Sequence, residues 1–170
     1  MNHDSFMTKS LNRLNKFNKI AFFLAVATGL CMATPAPAGA EDMVFGKGQI
    51  TIKTDTGNHI FTTEIAATPQ QQAQGLMFRE SLPQKSGMLF LFEPPQKTGM
   101  WMKNTLISLD MIFIDETGVI LFIAEHTTPG SENPIGTDKP VAAVLELNAG
   151  IAKKYAMKVG DQVSYEKNHE

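Results

Sequence analysis

Gly99-Met100-Trp101-Met102-Lys103-Asn104-Thr105-Leu106-Ile107-Ser108-Leu109-Asp110-Met111-Ile112-Phe113-Ile114-Asp115 is the stretch on which the fold turns. Its second half holds Met111 to Ile114, a short continuous apolar run of the kind found in strands buried on both faces. Its first half alternates: in an extended chain Met100, Met102 and Asn104 share one face, and Trp101 and Lys103 the other. Asp110 stands at the mouth of the buried strand, close in sequence to Lys103 and Asn104. Burying an unpaired charge is expensive. Asp110 is therefore expected to be ionised and paired with Arg79 or Lys103.

On the N-terminal side, Gln49 to Asp55 and His59 to Ala66 are rich in Ile, Thr and Phe and flank Thr56-Gly57-Asn58, which reads as a β-hairpin. Thr68-Pro69 opens a short helix, with Thr68 as N-cap and Pro69 in the first position, and Gly75 stops it. Met88 to Phe92 is a buried strand that Pro94-Pro95 should end. On the C-terminal side, Glu116-Thr117-Gly118 turns into a hairpin partner, Val119 to Glu125. Thr127 to Pro140 is the longest irregular segment, a candidate binding loop. Val141 to Leu147 is another apolar strand, Ile151 to Met157 makes one or two helical turns, and Gln162 to Tyr165 is the last strand. Seven or eight short strands and two short helices predict a mainly β (α+β) domain, its mostly antiparallel sheet forming a small barrel or sandwich.

Residues 1–40 have a different character. Lys9, Arg13, Lys16 and Lys19 precede the apolar run Ile20 to Met32, and Ala38-Gly39-Ala40 follows, the layout of a cleavable signal peptide. A run of about thirteen apolar residues is short against the ~20 that span a bilayer. Cys31 lies in this segment behind Leu30, where lipid attachment would want a small residue. The expected product is periplasmic or secreted, with residues 41–48 as a flexible lead-in, 49–165 as one β-rich domain and 166–170 as a frayed tail. It carries no cysteine, so it must hold itself together by its core. The leader takes four of the 15 Lys/Arg and one of the 17 Asp/Glu, leaving 11 basic and 16 acidic residues, a net charge of −5. That balance argues against nucleic acid and against an anionic membrane as partner after cleavage.

Several motifs fall in one order along the chain: Gly75-Leu76-Met77-Phe78-Arg79, Leu82, Gly87-Met88-Leu89-Phe90, Trp101 to Thr105, Leu109-Asp110, Phe113-Ile114-Asp115, Val144 to Gly150, and Gly160-Asp161. Together they resemble the bacterial and archaeal family called domain of unknown function 192, over nearly all of Gln49 to Tyr165. The resemblance implies a compact β-rich fold and an exported location, and supplies no activity. Two positions depart from the family pattern. Met100 stands where an aromatic precedes the Trp, and Ser108 where a proline precedes Leu-Asp; losing that proline loosens the approach to Asp110.

The polar residues in these motifs, Arg79, Trp101, Lys103, Asn104, Asp110 and Glu146, suit recognition of a small polar, sugar-like or anionic ligand. Trp stacks on a ring, Arg and Lys hold an anion, and Asn and Asp take hydroxyls. The competing reading is structural, with Arg79 or Lys103 satisfying Asp110 or Glu146 and Trp101 in the core. A hydrolase reading takes Asp110 and Glu146 as the acid and base flanking a scissile bond. A metal reading takes the thioethers of Met100 and Met102, on one strand face, as soft ligands for Cu(I). No zinc or calcium motif is present, Ser108 lacks the setting of a nucleophile, and no cofactor is expected. Binding of a small ligand or a protein partner, not catalysis, is the expected role.

Overall fold

The structure, a computed structural model, describes residues 43–167; the signal segment read at residues 1–40 lies outside them. Nine strands and two short helices follow one another: β1 (Gly46–Thr54), β2 (Gly57–Ala66), α1 (Pro69–Gln74), β3 (Ser86–Gln96), β4 (Gly99–Met100), β5 (Leu109–Ile114), β6 (Ile120–Ala124), β7 (Ile135–Gly136), β8 (Val141–Asn148), α2 (Ile151–Lys154) and β9 (Gln162–Lys167). Seven of the strands form one sheet in the order β6-β5-β8-β3-β2-β1-β9, while β4 and β7 pair as a separate two-stranded ribbon. All pairs in the large sheet are antiparallel except β2–β3. That parallel pair needs a crossover, which α1 and the following loop provide.

The sheet is rolled until its two edge strands meet. Val119 bridges Gln162, Ile120 N–H donates to the Asp161 carbonyl at 2.9 Å, and Val163 N–H donates to the Gly118 carbonyl at 2.8 Å. The roll encloses a core to which every strand of the large sheet contributes, among them Ile50, Phe61, Leu89, Ile112, Ile120, Leu145 and Val163; Ile151, Ala152 and Met157 add to it from α2 and beyond. A second core lies on the outer face of the three central strands. There Met88, Phe90, Phe92, Met111, Phe113 and Val144 are covered by Leu76, Leu82 and Met102 from the segments that cross over them. The strand read as buried on both faces is therefore so: all six residues of β5 are buried.

The structure corrects several boundaries. β1 begins at Gly46 and β9 runs to Lys167, so strand pairing reaches into both the lead-in and the tail. Pro94-Pro95 does not end β3; pairing with β8 skips from Leu91 to Gln96, and the prolines occupy the irregularity. The alternating strand expected over Met100–Asn104 ends at Met100. Asn104 has a left-handed φ of +54°, which breaks an extended run. The irregular segment 127–140 is tied down by β7 and by the Met102 N–H, which donates to the Ser131 carbonyl at 2.8 Å. At α1, Thr68 accepts from Gln71 N–H while the Gln71 side chain returns to the Thr68 N–H, a complete capping box.

Candidate functional site

Glu146 sits in the middle of β8, opposite Met88 on β3 and Met111 on β5, so all three point to the outer face. One strand further, Glu64 faces Met88 across the parallel pair. Glu146 is only 4 % exposed. Among the described residues no hydrogen bond to its carboxyl is formed, and burial alone pushes its pKa up to about 8. The carboxyl lines a pocket of about 280 Å³ between α1, β3 and the residues around β4. Met77, Met100, Phe90 and Phe92 supply apolar walls, Gln72 and Thr105 polar atoms, and Trp101 the rim. Among the described residues, no Lys, Arg or His lines it.

Local chain geometry builds this pocket. Gly75 ends α1 at a φ of +47°, and a Cβ there would stand 3.1 Å from the Phe90 ring. Only a glycine lets the chain turn so close over the sheet. Phe78 also adopts a left-handed φ, +64°, and its N–H donates to the Asn104 carbonyl at 2.8 Å. A bulky side chain in that region is costly and clusters at functional sites. The bond joins the α1–β3 connection to the Trp101–Asn104 turn, and so sets the two lips of the pocket against each other. Trp101 is 49 % exposed, and Lys103 Nζ lies 5.4 Å from the centre of its ring.

The six residues singled out from sequence thus separate. Trp101 and Glu146 line one pocket. Arg79 pairs with Glu64 at 2.5 Å and lies over the Phe45 ring, and Lys103 reaches Glu132 at 3.8 Å. Neither cation meets Asp110, so the ion pair expected for that carboxylate is not formed. Asp110 is fully buried and accepts two backbone N–H groups, from His126 at 3.0 Å and from Ala152 at 2.8 Å. Asn104 acts through its backbone and through a long contact, 3.8 Å, from Nδ2 to the Met77 sulfur.

Two further readings fail on geometry. Asp110 pairs with Leu147 and Glu146 with Met111 in the β5–β8 ladder, so the two carboxyls leave the sheet on opposite faces and cannot flank one bond. The Met100–Met102 pair loses its premise, because the strand ends at Met100. Met102 is fully buried, and its sulfur accepts the Thr127 hydroxyl at 3.2 Å, whereas Met100 lines the pocket. The sequence reading missed Gln72, Met77, Phe90 and Phe92 as pocket residues. The apolar ones lie in runs that packing explains equally well, and Gln72 carries no signal beyond its place in a short helix.

A rolled, mostly antiparallel sheet with an outer-face pocket over one buried carboxyl defines a small β-rich domain built around a cleft. The chain belongs to the domain of unknown function 192 family: the family model, described as "Uncharacterized ACR, COG1430", matches residues 50–165. Among solved structures it is similar to a Sinorhizobium meliloti protein titled a putative transcription regulator, with 41 % identity and a TM-score of 0.71 over 73 % of this chain and 97 % of that one. It is also similar to a Novosphingobium aromaticivorans protein of unknown function, with 38 % identity and a TM-score of 0.68 over 78 % and 94 % of the two chains. No curated protein matches.

Proposed function

We propose that the protein is exported and binds a small polar molecule in the pocket over Glu146, with Trp101 as its stacking rim. One observation carries the reading: Glu146, a residue only 4 % exposed whose carboxyl meets no hydrogen-bond donor among the described residues, lines a pocket that opens beside a half-exposed tryptophan. A carboxyl in that state costs stability, and a ligand that satisfies it recovers the cost. A volume near the lower end of ligand pockets, ~300–1,000 Å³, suits a small molecule. The leader layout of residues 1–40 supports export.

The geometry also removes the support for an anionic ligand, since Arg79 and Lys103 are engaged outside the pocket with Glu64 and Glu132. Residues 41–170 carry a net charge of −5, which repels a phosphate backbone. As the chain has one tryptophan, its emission reports on the pocket directly. A fragment survey by two-dimensional NMR, scored with Trp101 emission, should return molecules that shift the amides of residues 72–77, Trp101 and Glu146 together. Trp101→Ala should abolish those shifts. Fragments that bind only elsewhere, or none at all, would refute the pocket as the binding site.

A further inference from the structure

Resting on that pocket reading, we infer that the group recognised in the pocket is an organic ammonium, seated on the Glu146 carboxylate between aromatic and thioether walls. Four features of the site converge on a cation of this kind. Among the described residues, Glu146 is the one ionisable group lining the pocket, and no basic side chain lines its walls to compensate it. An ammonium brings N–H donors and the opposite charge to a carboxyl that lacks both. Phe90 and Phe92 put aromatic rings in the lining, a surface to which cations are attracted, and Trp101 already holds the Lys103 ammonium over its ring. The surrounding chain, net −5 over residues 41–170, draws cations toward it.

Other ligand classes fit less well. An anion would meet a buried carboxyl and no counter-charge. A hard divalent cation takes six or more oxygen ligands, and the pocket supplies one carboxylate among thioethers, rings and a few amide and hydroxyl groups. A neutral hydroxyl compound donates to the carboxyl but leaves its charge uncompensated and gains no cation–ring attraction. The neighbouring charges do not take over the ammonium's role. Arg79 is held by Glu64, Lys103 by Glu132, Asp110 lies on the opposite face, and the flanking positions on both adjacent strands are Met88 and Met111. Glu64, opposite Met88 on the same face, already has its cation in Arg79.

Seating the ammonium requires a charged carboxylate. Glu146, protonated at neutral pH in the empty pocket, passes its proton to solvent as the cation enters, so one proton leaves for each ammonium bound. Three molecules of one shape test this on the full domain: benzylammonium, benzyl alcohol and benzoate, followed by Trp101 emission and by calorimetry in two buffers of different ionisation heat. Benzylammonium should bind best and release close to one proton at pH 7. Its affinity should rise about tenfold per pH unit up to about 8, then level off, and fall at still higher pH as the ammonium itself deprotonates. In Glu146→Gln both the preference and the pH dependence should vanish, while the variant melts cooperatively. Binding of benzyl alcohol or benzoate as tight as that of benzylammonium, without proton release, overturns the inference and leaves the pocket reading standing. If none of the three perturbs Trp101, the inference is likewise overturned, and the fragment survey alone judges the pocket.

Discussion

Replacing Glu146 by Gln should stabilise the protein at high pH and leave it nearly unchanged at low pH. The carboxyl's ordinary value is 4.5, and burial raises it to about 8 in the folded state. The folded protein therefore holds the proton more tightly than the unfolded chain, and stability falls as pH rises from 4.5 to 8. At about 1.4 kcal/mol per pH unit, the full gap is worth about 5 kcal/mol. Between pH 5 and pH 8.5 the loss is about 4 kcal/mol, because titration is incomplete at both ends of that window. Glutamine is neutral throughout, so its own burial adds a constant that drops out of the comparison. Urea unfolding of parent and variant at pH 5, 7 and 8.5, followed by circular dichroism, measures the difference in stability at each pH. The difference should widen by about 4 kcal/mol in favour of the variant. A difference constant to within about 1 kcal/mol would show that the carboxyl is solvated or paired, and the pocket's central feature would be lost.

Asp110→Asn should cost about 2–4 kcal/mol, since a buried carboxylate that accepts two backbone N–H groups is replaced by an amide whose NH₂ must face one of them; a thermal melt equal to the parent's would exclude this. Trp101→Ala should cost only about 1–2 kcal/mol, below the ~3–5 of a buried aromatic, and the parent's emission should be red-shifted and open to acrylamide. A blue-shifted, unquenchable spectrum would place the ring in the core instead. Gly87→Ala should destabilise by about 1–3 kcal/mol, because the new Cβ would stand 2.6 Å from the Glu146 carbonyl oxygen, which the ladder fixes. Unchanged urea midpoints would contradict that crowding.

Strands that carry their own pattern are readable in the chain: the doubly buried Met111–Ile114, the Val141–Leu147 run and the Thr68-Pro69 helix start stand where expected, and the first hairpin forms with β1 starting earlier, at Gly46, and β2 at Gly57. Misreadings share one cause, which is that the deciding partner is distant or is a backbone group. The alternation of Met100–Asn104 was genuine in sequence, but a left-handed Asn104 and its carbonyl bond to Phe78 turned the segment into a lip. Asp110 does have partners, but not the cations its charge leads one to expect. Those partners are the N–H groups of His126 and Ala152, which no side-chain inventory reveals. Glu146 is legible as one of the polar residues in the motifs. The register that separates it from Asp110 emerges only from the ladder, because a carboxylate's face depends on strand pairing.

The meeting of β6 with β9 also has a consequence for how the chain is completed. β9 lies beside β1 and supplies the groups that reach the start of β6, so the last strand is the seam of the whole roll. A nascent chain that has not yet extended past residue 161 holds two sheet edges with unpaired backbone groups, which invite pairing with another copy. It also lacks Val163, part of the enclosed core. A stop codon shortly before β9 would therefore yield an open sheet with two unpaired edges in place of a slightly shorter protein.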